Sequence, residues 1–390
     1  MIKMREVAIV GTGVTKFGEL WDKSFRSIGI EAGIKAIEDA GMSGSEVDGI
    51  FIGNMSSRFI NQQHIDALIA DYSGMATRNV PAVRTEAGGA SGGVAFRQGV
   101  MAVASGMHEA VLVGGAEKMT DLDDASTASV MDSTADAEWE ASMGLTLTSL
   151  YAMITRRLIY EGTATREEIA SFAVNAHKHG ALNPNAQYKS PITLDTVLRS
   201  GPVAEPLNVF DCAPYSDGAA AVVMVPLDVA KKMGVDYVKV VAACQASDTL
   251  ALFQREDITT FKATTAAAKE AYRIAGIEPK DISVAEVHDD YTVGGIMALQ
   301  DLGFFKKGDA GKAVLEGQVE IGGKIAVNTS GGLKARGYPV GASGVAQVVE
   351  IADQLRNKAD KRQVANAKYG LAQSVGGTGS AVTVSILEAI

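Results

Sequence analysis

Two stretches of this chain repeat one another. "AIEDAGMSGSEVDGIFIGN" at 36–54 resembles "AYRIAGIEPKDISVAEVHD" at 271–289, with Ala36 on Ala271 and the Ala-Gly pair 40–41 on 275–276. Val47, Ile50 and Ile52 then fall on Ile282, Ala285 and Val287. Further along, "GASGGVA" (89–95) resembles "GASGVA" (341–346), and "VLVGGAE" answers "QSVGGTG". Ordered matches of this kind imply a duplicated α/β unit whose two copies are related by a pseudo-twofold axis.

Within each copy, strand-like runs alternate with helix-like stretches: "EVAIVGTG", "SIGIEAGIKAIEDAG", "VDGIFIGN", "GVAFRQGVMAVASG", "EAVLVGGAE". That βαβ rhythm predicts a largely parallel sheet covered on both faces. Residues 117–210 break it. The polar, acidic "EKMTDLDDASTASVMDSTADAEW" is followed by helix-like "SLYAMITRRLIYEG" and "REEIASFAVNAHKHGALN". An insertion this long reads as a lid or binding subdomain, not a plain connection. The expected division is a first half at 1–116 continued at 211–245, an inserted loop domain at 117–210, and a second half at 246–390.

A chain of 390 residues that is 47% hydrophobic can bury a large core. With 36 basic and 46 acidic residues its net charge is −10, which argues against a nucleic-acid footprint. It has no apolar run of about 18 residues, so no membrane span is expected. The start "MIKMREVAIVGTGVTKFG" reads as a strand and a Gly turn, not a signal peptide. Cys212 and Cys244 show no metal spacing and suit a reducing compartment. A cytoplasmic chain without a metal is the expectation.

The Gly-rich corner "EAGGASGG" (86–93) opens a helix. It can be a packing turn where Gly permits close approach, or a place where backbone amides meet an anion. His288 follows an apolar strand and stands beside Asp289, Asp290 and Tyr291. Its titration range suits proton transfer or oxyanion donation, with a structural histidine as the plain alternative. Tyr338 is either a packing residue or a donor to a developing alkoxide, and Asp290 either a general base or a surface acid. His177 and His179 read as structure of the inserted stretch.

The duplicated halves, the corner, "DCAPYSDGAAAVVM" (211–224), "EVHDDYTVGGIMALQDLGFF" (286–305), "GGLKARGYPVGASG" (331–344) and "QSVGGTGS" (373–380) together resemble the thiolase superfamily, nearest its sterol-carrier-type and archaeal branch. The resemblance runs nearly end to end. It implies a five-layered αβαβα fold, a tight homodimer, coenzyme A as the thioester substrate, and a loop domain at 117–210 over it. It further implies a small zinc-ribbon plus OB-fold partner protein.

In that family a Cys before the "ASGG" helix accepts the acyl group, a Gly-His-Pro histidine activates it, and a second Cys acts as acid and base. At the matching positions this chain has Gly89, Tyr338 and Asp290, while the oxyanion histidine is kept as His288 and the last Gly-rich loop as Gly376 and Gly377. Lys178 and Lys189 are expected at the phosphates of coenzyme A, with Ser343 also at the cofactor.

A Gly cannot be acylated. The resemblance therefore implies an enzyme that makes or breaks a C–C bond in an acyl-CoA without an acyl-enzyme, as in retro-aldol cleavage of a β-hydroxyacyl-CoA. There a base among His288, Asp290 and Tyr338 takes the β-hydroxyl proton, and the Gly89 and Gly376 amides hold the enolate. Two alternatives stand beside it: an acyl-CoA C-acyltransferase with an atypical site, and a non-catalytic CoA-binding scaffold subunit.

Overall fold

A computed structural model describes residues 4–390. The first copy contains β1 (Val7–Val14), α1 (Phe25–Asp39), β2 (Gly49–Gly53), α2 (Ile65–Tyr72), β3 (Ala82–Thr85), α3 (Ser91–Ser105) and β4 (Val111–Glu117). The chain then leaves the sheet for α4 (Asp124–Asp132), α5 (Leu147–Tyr160), α6 (Arg166–Gly180), α7 (Leu194–Leu198) and the short hairpin β5 (Pro202–Ala204) and β6 (Leu207–Asn208). It returns with β7 (Gly218–Pro226), and α8 (Leu227–Met233) leads to the second copy. That copy contains β8 (Val238–Ser247), α9 (Lys262–Ala275), β9 (Val284–Glu286), α10 (Thr292–Asp301), α11 (Ala310–Leu315) and β10 (Ala326–Val327). It ends with α12 (Gly332–Arg336), α13 (Val340–Leu355), β11 (Tyr369–Gly376) and β12 (Ala381–Ala389).

Across the main sheet the strands run β10-β9-β11-β12-β8-β1-β7-β4-β2-β3. The seam lies at β1–β8, where only Val7–Ile9 pair with Val238–Val240. Outward from it the two sides read β1-β7-β4-β2-β3 and β8-β12-β11-β9-β10. Numbered within its own copy, each side has the same order, so the repeat legible in the sequence is a repeat in space. The turns agree as well. A Ser43/Glu46 capping box leads from α1 toward β2, and a Glu278/Asp281 box leads from α9 toward β9.

The sheet is mixed, against the expectation of a largely parallel one. β2 pairs parallel with β3 and β4, and β9 with β10 and β11. The pairs β1–β7, β4–β7, β8–β12 and β11–β12 are antiparallel. In each copy the last strand inserts between the first and fourth. β12 follows β11 through a turn at Gly377–Ser380, too short for the crossover that a parallel pair requires.

Three apolar clusters make the layers. Phe96 and Val103 of α3 join Val345 and Val349 of α13, with Val113, Val222 and Leu387 of the sheet. Outside the first copy lie Ile28, Ile50, Ile69 and Leu112; outside the second lie Ala267, Ile296, Leu371 and Ile386. Helix, sheet, helix pair, sheet and helix make five layers. α5 and α6 of the intervening stretch add Ile154 and Phe172 to the second outer cluster.

Small residues let α3 and α13 meet backbone to backbone. A Cβ on Gly92 would lie 2.7 Å from the Gly341 carbonyl oxygen, and one on Gly344 would lie 2.3 Å from the Gly93 nitrogen. The two "GASG" segments are therefore where the two helices of the central layer touch. Filling either position would cost about 1–3 kcal/mol in forced backbone shift.

Candidate functional site

The corner between β3 and α3 is closed by its own polar groups. Ser91 Oγ accepts from the Ala87 N–H (2.9 Å) and donates to the Gly88 carbonyl (2.6 Å). The Glu86 carboxylate accepts from the Gly88 N–H (2.6 Å). Gly88 takes φ +56°, which favours glycine, and a Cβ there would stand 3.3 Å from Gly376 Cα. The end of β11 thus backs directly onto the corner.

Gly89 has no room for any side chain. Its Cβ would lie 2.3 Å from the Val375 carbonyl oxygen, 2.6 Å from the Tyr338 hydroxyl and 2.8 Å from His288 Cε1. The space beside Gly89 belongs to a phenol hydroxyl and an imidazole.

Those two groups arrive from the second copy. Beyond β9, the Val287 N–H donates to Asn328 Oδ1 (2.7 Å) and the His288 N–H to Gln373 Oε1 (2.9 Å). This places His288 Nε2 at 3.2 Å from the Tyr338 hydroxyl and 3.8 Å from Asp290 Oδ2, while its Nδ1 is buried without a partner among the described residues. Tyr338 is set by its N–H donating to Ser216 Oγ (2.8 Å), which in turn donates to Gln187 Oε1 (2.6 Å). Asp290 is set by its carbonyl, which accepts from the Ala213 N–H (2.7 Å).

Burial, and secondarily the Asp290 carboxylate, pushes the Tyr338 phenol well above its ordinary range, so it remains a neutral donor near neutrality. Burial pushes Asp289 up to about 6 against the Leu333 N–H (2.7 Å) that it accepts. Burial also pushes the Cys212 thiol up to about 12 and raises that of Cys244, so neither free cysteine is an activated nucleophile.

Not all the residues singled out in the sequence share one space. Tyr338 and Asp290 line a cavity of about 310 Å³ together with Tyr215, Tyr291 and Thr148. His288 and Gly89 are not among its walls; they are buried behind Tyr338. Gly376 borders a separate cavity of about 410 Å³ with Gly88, Met55 and Thr134.

The three residues expected at coenzyme A lie apart from these cavities. Lys178 pairs with Glu320 (2.5 Å), Lys189 donates to the Pro184 carbonyl (2.5 Å), and Ser343 is buried in α13, donating to the Pro339 carbonyl (3.0 Å). His177 and His179 hold backbone carbonyls of Ser190 and of Val327 and Asn328. Burial pushes His177 down to about 4, so it is neutral.

Sequence reasoning missed the residues that position the site. Glu117, at the end of β4, accepts from Asn54 Nδ2 (2.7 Å) and from the N–H groups of Met55 (2.8 Å) and Gly341 (2.9 Å). It thereby ties the first copy to the start of α13. Asp217 accepts from the buried Lys118 ammonium (2.7 Å), the Met119 N–H (2.7 Å) and the Leu20 N–H (3.0 Å). The available signal was a lone acid within a Gly- and Ala-rich apolar stretch.

Family models bear on the origin of this arrangement. "Thiolase, N-terminal domain" matches residues 7–228 and "Thiolase C-terminal domain-like" matches 244–389. The chain belongs to the thiolase superfamily. An acetyl-CoA acetyltransferase of Methanothermobacter thermautotrophicus is 49% identical, covering 99% of this chain and 100% of its own length. The sterol carrier protein 2 of Gallus gallus is 31% identical over 99% of this chain and 72% of its own length. Among solved structures, an "Ltp2-ChsH2(DUF35) aldolase" superposes with a TM-score of 0.84 at 28% identity, covering 98% of each chain. The chain is thus similar over nearly its whole length to proteins of two different names, a transferase and an aldolase. Among the described residues no helix is long and apolar enough to cross a membrane, and no cluster of three or more metal-ligating side chains occurs.

Proposed function

We propose that the chain is an acyl-CoA enzyme that cleaves, or in reverse forms, the Cα–Cβ bond of a β-hydroxyacyl-CoA by a retro-aldol step. The observation that carries this is Gly89. The position matching the family's acyl-accepting Cys is filled from outside by the Tyr338 hydroxyl and His288, and neither remaining cysteine is activated. Similarity to a solved aldolase over 98% of the chain supports it.

In this reading the Asp290 carboxylate, which lines the cavity, takes the β-hydroxyl proton. The Cα–Cβ electron pair moves into the thioester, a carbonyl product leaves, and the enolate forms. With its Nε2–H aimed at Tyr338 Oη, His288 leaves the phenol O–H free to donate to the enolate oxygen. The proton on Asp290 then passes to Cα, so no proton is gained or lost overall. His288 is a positioning residue; Tyr338 and Asp290 are the groups that touch substrate. Because Gly376 borders the other cavity and Gly89 is walled off, Tyr338 takes over the donor role expected of their amides.

The same reading assigns 117–210 as the segment over coenzyme A between the two halves (1–116 with 211–245, and 246–390). It also includes a homodimeric core, a cytoplasmic location and a small zinc-ribbon and OB-fold partner. The two-component name of the solved Ltp2-ChsH2(DUF35) aldolase supports the partner. Co-purification with a small protein from the native cell is the expected result, and a chain that purifies alone and active overturns that part.

Acyl transfer remains the second reading because the 49% identical relative is named an acetyl-CoA acetyltransferase. Mass spectrometry after incubation with acyl-CoA and β-hydroxyacyl-CoA panels separates the two. Release of a carbonyl compound with no protein adduct is expected. An acyl adduct overturns the aldolase reading in favour of the transferase, and neither product nor adduct leaves the scaffold reading.

A further inference from the structure

Beside the cavity of Tyr338 and Asp290 lies a larger one of about 550 Å³ that shares Thr148, Val203, Ala213, Tyr215 and Tyr291 with it. The two adjoin along that shared wall. Most of the larger cavity's wall is apolar or aromatic, including Tyr188, Val209 and Phe210, with Asp124 exposed at its rim. It also contains a cation, Lys334 of α12, which is 2% exposed.

Lys334 Nζ lies 5.5 Å from the ring centroids of both Tyr188 and Phe210. Among the described residues it makes no hydrogen bond and no ion pair. Neither nearby acid forms an ion pair with it among the described residues, although Asp289 Oδ2 is buried without a hydrogen-bond partner. Asp211 is paired with Arg166 and accepts from the Asn208 N–H (2.8 Å) and Thr292 Oγ1 (2.9 Å). Asp289 accepts from the Leu333 N–H. His177, stacked on Tyr188, is neutral. Burial lowers Lys334 to about 8, which still leaves the ammonium mostly charged at neutral pH. Two aromatic faces offset only part of the cost of a buried ammonium, and a missing anion is the simplest account of the remainder.

We propose that Lys334 is a specificity-determining residue that receives a carboxylate at the far end of the acyl group or of the departing carbonyl fragment. The substrate class is thus an acyl-CoA with a second, terminal acid. The placement favours the acyl side over a phosphate of coenzyme A. The cavity that Lys334 lines shares Thr148, Tyr215 and Tyr291 with the cavity of Tyr338 and Asp290, so the cation stands on the side of the reacting groups. The phosphates are separated from the thioester by the whole pantetheine arm. This inference rests on the acyl-CoA reading above but not on the retro-aldol step.

The experiment is direct binding, which does not depend on turnover. Dissociation constants are measured for succinyl-, glutaryl-, adipyl- and suberyl-CoA, for neutral acyl-CoAs of the same chain lengths, and for coenzyme A alone. At least one diacid thioester is expected to bind about 10-fold or more tightly than its neutral counterpart. Lys334→Met is expected to remove that preference without lowering the melting temperature, since it replaces an unpaired buried charge. Lys334→Gln serves if the first variant does not fold, and the wild-type preference needs neither. Equal affinities at every length overturn the proposal. So does an equal loss for coenzyme A alone, which would make the anion a phosphate. A fall in melting temperature with the preference intact would make Lys334 structural and also overturn it. Failure of the retro-aldol reading would show instead as preferential binding without cleavage.

Discussion

The two copies of the duplicated unit share a strand order but not a chemical content. At the start of α3 the first copy supplies little except backbone: Gly88, Gly89 and a turn closed by Ser91 and Glu86. At the start of α13 and beyond β9 the second copy supplies His288, Asp290 and Tyr338. Duplication preserved what the core requires, the order of strands and the glycines where the helices cross. The loops that core packing does not constrain diverged into a socket and the group that fills it.

The most severe break in that relation is Gly89→Cys. A Cβ 2.3 Å from a backbone oxygen and 2.6 Å from the Tyr338 hydroxyl cannot be absorbed by side-chain motion alone. We expect a loss of about 3 kcal/mol in denaturant unfolding and no gain of acyl transfer. Gly89→Cys combined with Tyr338→His should recover part of that loss, and strictly additive effects would show that the two positions are not coupled.

Next comes Tyr338→Phe, which removes the donor and keeps the ring. Turnover of a β-hydroxyacyl-CoA should fall about 100-fold in kcat with KM little changed, while the unfolding midpoint moves little. An unchanged kcat would return Tyr338 to a packing role.

A third test reads the tie between the copies. Burial pushes Glu117 up to about 8 from an ordinary 4.5. Between those values the folded state holds a proton that the unfolded state releases, so stability falls as pH rises from 4.5 to 8, at up to about 1.4 kcal/mol per pH unit. Denaturation of Glu117→Gln across that range should show a flatter profile. An identical slope would mean that Glu117 titrates normally.

The smallest effect is expected of Ser216→Ala, which removes the acceptor for the Tyr338 N–H. About 1 kcal/mol of stability should be lost, and kcat should drop more than KM rises. A change in KM alone would place Ser216 in substrate binding.

Much of the architecture was legible because repeats encode it. The register of Ala36 on Ala271 anticipated equivalent helix-to-strand turns, and the paired "GASG" segments anticipated equivalent helices. Strand direction was not legible, since alternation of apolar runs says nothing about where the last strand inserts. His288, Asp290 and Tyr338 were singled out through family motifs, and the structure brings them together. Gln373, Asn328 and Ser216 were not found, because a side chain that holds a backbone amide far along the chain leaves no local pattern. Lys334 sits inside the "GGLKARGYPVGASG" motif, and its lack of an ion pair exists only in three dimensions.

Under the proposed reading, in which Gly89 stands at the family's cysteine position, the tight fit of Tyr338 against it also makes evolutionary reversal hard. A lineage returning to thiol chemistry could restore the cysteine first, through a protein that clashes, or withdraw the tyrosine first, through one that has lost its donor. Both single steps are expected to lower fitness, so the fit works as a ratchet on the catalytic history of this fold.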